Sequence, residues 1–475
     1  IHEKPKWKRK YKDPTIVAKW KAELEQQFVD KSSAFERVWK YVLRELAWYE
    51  YVEHTFPGLE EKGFKIGCDH KIIYSDQAVP EELKDQLRKA VETFTLEEFP
   101  DGLDYHPGSD GKVVDLVHPS LYPLQYGVTP MYKAPESGNL ITAVFDPAEV
   151  PFKSGVQPWA ISKKYQWLPA LMRWGWKNRC NQYSFASYIN NLHPKHESLY
   201  LAIEKVFNLA LPGLDYVLSR YLSPEVLRVP IGELYTDEWK KIDREYIDRA
   251  YKDNALWDSY DEHDAKKADY MKELPLDYTR DPPVNYTFQL SKKFLTLKVI
   301  VKLANIELSP EKPTYDGGSW HVEGMANEDI VSTVLYYYDS ENITESRLSF
   351  KASFEDPEYD QGDSIGLSKI YGLKDGDQMS KIIGDVVCQE DRVVIFPNGL
   401  QHHVDPFELK DKSKNGHRKI LCFFLIDPYN KGVISNAQVP PQQPLWHQLY
   451  KEQEPEIEKF LQEETHKVKE NRYYR

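Results

Sequence analysis

Cysteine is scarce: Cys68, Cys180, Cys388 and Cys422 are the only four in 475 residues, and they form no CxxC pair. That spacing leaves no zinc knuckle and no dithiol redox motif, and predicts reduced, mostly buried thiols. Long apolar runs are missing too, so nothing in the sequence reads as a membrane span. The opening IHEKPKWKRKYKD lacks the apolar core of a secretory signal, and the chain is expected to be soluble, intracellular and cytoplasmic. Basic charge is in deficit: 62 Lys and Arg against 75 Asp and Glu give a net charge of −13. Affinity for nucleic acid rests on clustered Lys and Arg, so a nucleic-acid substrate is disfavoured. The basic stretch from Lys4 to Lys12 is the local exception and reads as a solvated arm. P-loops, dinucleotide fingerprints and internal repeats are all absent.

What the chain does contain is an ordinary globular balance, 41% hydrophobic and 29% charged, with a heavy aromatic load of 12 Trp and 32 Tyr that serves cores and walls. Ile16, Trp20, Leu24 and Phe28, then Phe35, Val38, Tyr41, Val42 and Leu46, recur at helical spacing and predict two amphipathic helices. Pro80 followed by Glu81 and Glu82 opens a further helix, and Leu199 to Ala210 marks another after Pro194. Between Gly102 and Gly155 the chain reads as loops joining short strands such as Leu140 to Phe145. A charged, Tyr-rich excursion from Thr236 to Asp281 ends at Asp281-Pro-Pro.

After that the period changes to two. Leu295, Leu297, Val299, Val301 and Leu303 alternate with Thr296, Lys298, Lys302 and Ala304, predicting a long strand with one buried face. Strands are also expected at Ser319 to Gly324, Val331 to Tyr338, Arg347 to Ser353, Asp391 to Phe396 and Arg418 to Ile426, a pattern of a β-sandwich or barrel. The expected organisation is α+β: a mainly helical or mixed region over 1–284, a β core over 285–440 and a charged tail helix over 441–475.

The chemistry concentrates in GGSWHVEGM, FPNGLQHHV and GHRKILCFFLIDP. On a strand, His321 and Glu323 project from one face and can grip one ion, with His402 completing the set. Two imidazoles and a carboxylate on one side of an octahedron leave three open positions, an arrangement suited to non-haem Fe(II) and O2. Arg418 shares strand parity with Ile420, Cys422, Phe424 and Ile426, so it heads an apolar, inward stripe and needs a partner there. The far carboxylate of a dicarboxylate co-substrate supplies one, with a structural ion pair as the alternative and His417 and Lys419 as competitors for the role.

These residues resemble the 2-oxoglutarate-dependent Fe(II) oxygenases, whose double-stranded β-helix (jelly-roll, cupin-like) carries HxD or HxE, a distal His and a downstream Arg or Lys. Longer segments, SYINNLHP, KLANIELSPEKPTYDGGSWHVEGMANE, YYDSENITESRLSF and FPNGLQHHVDPFELKDKSKNGHRKILCFFLIDP, resemble the chiefly fungal DUF4246 family over most of the chain. The family usually reads LQHRV; the matching register makes His402 the ligand and puts His403 where an Arg is expected. The resemblance implies a dioxygenase with Fe(II), 2-oxoglutarate and O2, with His321, Glu323 and His402 on the metal and Arg418 on the co-substrate. Tyr315 and Thr333 are candidates for further hydrogen bonds to it. The implied reaction is hydroxylation of a small molecule or an amino-acid or peptide side chain, with release of succinate and CO2. Desaturation, ring closure and demethylation start from the same chemistry. The rival readings are a cupin-like Zn or Mn enzyme without 2-oxoglutarate and a non-catalytic barrel scaffold. The sequence leaves the oligomeric state open.

Overall fold

The computed structural model describes residues 1–2, 4–27, 34–132, 140–142, 155–176, 181–222, 287–354, 373–374 and 376–443, with single positions at 244, 248, 252 and 446. Apart from those single positions, the excursion expected over 236–281, its Asp281-Pro-Pro end and the tail beyond 446 lie outside the described residues. The chain divides into two compact units. One comprises Ile1–Thr55, Ser223–Asn285 and Ala352–Ile382; the other comprises Phe56–Leu222, Tyr286–Lys351 and Ile383–Arg475, and holds every residue discussed below as part of a site.

In the first unit, helices α2 (Pro14–Gln27) and α3 (Ala34–Thr55) match the expected periodicity, whereas the stretch expected as a solvated arm carries α1 (Trp7–Lys10), with Trp7 buried and Lys8 paired with Glu53 at 2.9 Å. Asp13 caps α2 through Oδ1, which accepts from the N–H groups of Thr15 and Ile16 at 2.9 and 3.3 Å. In the second unit, α4 (Glu81–Glu98) starts after an extended Pro80 with two acidic residues in its first turn, and α5 (Glu197–Leu222) buries the apolar stripe from Leu199 to Leu218. Among the described residues, no helix is long and apolar enough to cross a membrane.

The strands in chain order are β1 (Lys65–Ile66), β2 (Ile73–Ser75), β3 (Val113–Val117), β4 (Leu124–Gln125), β5 (Pro130–Tyr132), β6 (Leu140–Thr142), β7 (Tyr165–Gln166), β8 (Ala170–Trp174) and β9 (Tyr183–Phe185). They continue as β10 (Thr296–Leu308), β11 (Thr314–Tyr315), β12 (Ile330–Glu341), β13 (Ser346–Ser353), β14 (Ser380–Cys388), β15 (Val393–Pro397), β16 (Gln401–Val404), β17 (Phe407–Glu408) and β18 (Gly416–Ile426). A large antiparallel sheet runs β1-β2-β15-β12-β18-β10-β8-β9, with β3 also on β10, and a smaller one runs β14-β13-β16. This mixed architecture is compatible with a jelly-roll-like core. Strands from residues 65–185 join the same sheet as those after 287, an arrangement that local periodicity does not reveal.

β18 shows how the sheet is filled. Phe423 faces the helical layer, where its ring meets Phe207 of α5 at 5.4 Å, while Phe424 faces the other way and stacks with Trp167 at 6.1 Å. Gly213 lets α5 approach the sheet, because a Cβ there would collide with Ile395 of β15. The expectation of one buried face for β10 is corrected. Ile300, Ala304 and Ile306 on its other face are buried as well, with Lys298 and Lys302 half-buried among them. Leu295, which the alternation placed on the buried face, precedes the strand and is exposed.

Candidate metal centre

His321 and His402 lie directly opposite one another: His321 N–H donates to the His402 carbonyl at 3.1 Å, His402 N–H returns the bond at 2.9 Å, and their rings are 4.5 Å apart. The strand expected over Ser319 to Gly324 does not form; this reciprocal pair is an isolated bridge. Gly317 at φ 93° and Gly324 at φ 66° turn the chain out of any ladder on either side. Strand parity therefore does not aim Glu323. Asn398 does, by accepting from Glu323 N–H through Oδ1 and donating to its carbonyl through Nδ2, both at 2.9 Å.

The side chains converge. Glu323 Oε1 stands 3.6 Å from His321 Nε2 and 3.4 Å from His402 Nε2. Donor atoms each about 2 Å from a common ion stand roughly 3 to 3.5 Å apart, so the set fits a metal. His321 Nδ1 donates to the Ser319 carbonyl at 2.8 Å, which makes Nε2 the ring atom facing Glu323. Burial pushes the Glu323 carboxyl up, but hydrogen bonds from His321 and His402 outweigh it and hold the group well below the usual carboxylate range. His403 points away: its ring stacks on Trp320 at 4.0 Å and its Nε2 pairs with Asp405 at 3.1 Å.

Arg418 is 2% exposed, and among the described residues it meets no carboxylate. Its Nη1 donates to Ser346 Oγ at 2.6 Å, its guanidinium lies 5.3 and 5.4 Å from the Phe407 and Tyr337 rings, and its Nε is buried without a partner. His417 and Lys419, the competitors for its role, pair instead with Asp339 at 3.1 and 2.8 Å. Thr333, opposite Phe424 in the register, is fully buried with Oγ1 unpartnered. Tyr315 packs against Phe407 at 5.2 Å; burial pushes its hydroxyl pKa up, and the charges of Arg418 and Lys302 pull against that. Ser346, Asn398 and Lys302 are additions that the sequence did not flag.

A second group with ligand atoms equally close, His106, Asp115 and His118, occurs in the same unit. Its geometry differs. His106 Nδ1 and Asp115 Oδ2 sit at 2.8 Å, an ordinary hydrogen bond. Ser120 N–H donates to His118 Nδ1 at 3.2 Å, which puts the proton of the neutral ring on Nε2. Burial, then the charges of Lys302 and His106, lower the His118 pKa to about 3 and keep that ring neutral. In this group Asp115 and Ser120 already engage a ring nitrogen of each histidine, whereas His321 and His402 both turn Nε2 towards Glu323.

Residues 36–449 match a family described as "Protein of unknown function (DUF4246)". No curated protein matches the chain. Solved structures with some likeness include IDO from Bacillus thuringiensis (12% identity, 27% of this chain and 45% of that one, TM-score 0.18). The Fe(II)/(alpha)ketoglutarate-dependent dioxygenase TqaL aligns at 15% identity over 35% of this chain and 53% of its own, with a TM-score of 0.20. A Trichoplax adhaerens prolyl hydroxylase in complex with a hypoxia inducible factor peptide fragment aligns at 9% identity over 82% and 96%, with a TM-score of 0.27. The chain thus spans about half the length of the first two, and similarities this weak carry no argument about activity.

Proposed function

The chain belongs to the DUF4246 family, and we propose that it is an Fe(II)- and 2-oxoglutarate-dependent oxygenase acting on a small molecule or an amino-acid or peptide side chain. The observation that carries this reading is the conjunction of a three-donor metal set with a buried arginine that lacks an acidic partner among the described residues. The strand orders β15-β12-β18-β10 and β14-β13-β16, with His321 bridged to His402 at the edge of the smaller sheet, support a double-stranded β-helix over the proposed core at 285–440.

Bound to His321, Glu323 and His402, Fe(II) with O2 and 2-oxoglutarate supplies the oxidising power to hydroxylate a C–H bond, with release of succinate and CO2. The chain's residues do the rest. Burial with two imidazoles turned towards it sets the Glu323 carboxylate as the anionic member of the set, and Asn398 fixes its backbone. Arg418 and Ser346 receive the far carboxylate of the co-substrate, completing the donors that are otherwise unpaired. Thr333 and Tyr315 add hydroxyl groups beside it. Phe350 and Phe396 pack around the His402 ring at 6.5 and 4.9 Å and keep water from that side of the centre.

The test is succinate formation from 2-oxoglutarate by the purified chain with Fe(II), ascorbate and O2 across a pool of metabolites and peptides, beside His402→Ala. Turnover in the parent alone supports the reading. Turnover that survives His402→Ala, or a chain that binds neither metal nor 2-oxoglutarate, sinks it. Activity with Zn or Mn that needs no 2-oxoglutarate and is unchanged in Arg418→Ala selects the cupin-like alternative.

A further inference from the structure

The inward face of the large sheet carries polar groups that neither the metal nor a dicarboxylate uses. In the register of β10, Lys302 stands opposite Cys422, Ala304 opposite Ile420 on one side and Asp115 on the other, and Ile306 opposite Arg418. Paired residues share a face, and alternate residues along a strand return to it, so Lys302 and Asp115 project to the same side as Arg418. The charge of Lys302 is felt at His321, Glu323 and Tyr315 and also at His118. It therefore lies between the metal set and the His106–Asp115–His118 group.

Lys302 makes no ion pair or hydrogen bond with any described residue, although its charge acts on the Glu323 carboxylate. Asp115 is 4% exposed; His106 occupies its Oδ2, and its Oδ1 is buried without a partner. Buried polar atoms are rarely left unpaired, so the unused Asp115 Oδ1 calls for a donor, and the half-buried Lys302 on the same wall puts an unpaired cation beside it. The co-substrate cannot serve this wall as well as Arg418: it has one far carboxylate, and its 2-oxo acid end goes to the metal. An anion at Lys302 and an N–H donor at Asp115 satisfy both groups. Next to them, Trp167 lies edge-on to His118 at 6.4 Å and stacked on Phe424, an apolar wall suited to a side chain.

We propose that Lys302 and Asp115 form a two-point substrate anchor, and that the substrate is a zwitterion of the amino-acid type, with its carboxylate on Lys302 and its ammonium on Asp115 Oδ1. The assignment of this group to the substrate rests on the oxygenase reading above. A betaine does not fit, because a quaternary nitrogen has no proton to give Asp115.

The test is calorimetric titration of the full chain, loaded with Mn(II) as a redox-silent stand-in for Fe(II), with 2-oxoglutarate and then with free L-amino acids, their N-acetyl derivatives and their carboxamides. The expected result is binding of one or more free amino acids, with the acetylated and amidated forms at least about tenfold weaker. Lys302→Met and Asp115→Asn should each weaken that binding about tenfold to a hundredfold while leaving 2-oxoglutarate affinity within about twofold. Equal binding of free and blocked forms overturns the proposal, as does absence of amino-acid binding in a chain that binds 2-oxoglutarate. Loss of 2-oxoglutarate affinity in Lys302→Met, with amino-acid binding intact, also overturns it and makes Lys302 a co-substrate residue. A chain that binds no 2-oxoglutarate but binds amino acids through Lys302 defeats the oxygenase reading and leaves the anchor standing.

Discussion

Asn398 clasps the backbone of Glu323 from both sides, accepting its N–H and donating to its carbonyl at 2.9 Å each. Because no strand runs through Glu323, this clasp sets where the carboxylate meets His321 and His402. Asn398→Ala should weaken Mn(II) or Fe(II) binding about tenfold or more, in the range seen when groups that orient metal ligands are removed. Metal titration by calorimetry reads this directly. An unchanged affinity in a folded variant would show that Glu323 is oriented by something else.

Arg418 is the second point at which one change separates readings. Arg418→Met removes the buried cation without removing much volume, and 2-oxoglutarate affinity should fall about a hundredfold, with Ser346→Ala costing only a few-fold. Lys419→Met is the control: one residue along, it pairs with Asp339 on the opposite face and should leave co-substrate affinity alone. If Lys419→Met and Arg418→Met weaken binding equally, the parity argument fails.

Strand alternation made Arg418 legible in the sequence and excluded His402 and His403 from facing one ion together, while the family register chose His402; both Arg418 and His402 lie in paired strands, where period two holds. His403 and Lys419 then had to face elsewhere, and they do. Alternation failed at His321-Val322-Glu323, where two turning glycines leave a single bridge in place of a ladder. It also missed that Ile300, Ala304 and Ile306, on the face of Lys302, are buried, because β10 takes β3, β8 and β18 as neighbours from distant parts of the chain. Ser346 and Asn398 carry no local signal of their roles. Each becomes meaningful only through a partner some seventy residues away, at Arg418 and Glu323.

Gly317 controls the approach of the His321 segment to β16. Its φ of 93° disfavours any side chain, and a Cβ would stand 2.9 Å from the Val404 carbonyl, the same oxygen that accepts from Gly318 N–H at 2.9 Å. Gly317→Ala should therefore cost about 2 kcal/mol and also weaken metal binding, by pushing His321 away from His402. Gly127→Ala is the comparison, since that glycine has a similar φ of 78° with open space around it and should cost only about 1 kcal/mol with metal affinity intact. Thermal unfolding and metal titration on the pair distinguish steric displacement from simple backbone strain.

Glu328 ties the segment after the metal set to Trp167. Its carboxylate accepts from Trp167 N–H at 2.6 Å and from Met325 N–H at 2.7 Å, and burial pushes its pKa up from 4.5 to about 7. An acid whose pKa is raised in the folded state favours folding most where it is protonated in both states. That contribution is complete below about pH 4.5 and drains away as the pH rises towards 7. The difference over the window is on the order of 3 kcal/mol. Glu328→Gln keeps one carbonyl acceptor, turns an NH2 towards the other N–H and cannot ionise, so whatever it costs at pH 4.5, its stability relative to the parent should improve as the pH rises to 7. Chemical denaturation of the two proteins at both pH values measures this. If the parent instead gains on Glu328→Gln between pH 4.5 and pH 7, the ionised carboxylate is worth more to those two N–H donors than its burial costs, and folding lowers the Glu328 pKa instead of raising it.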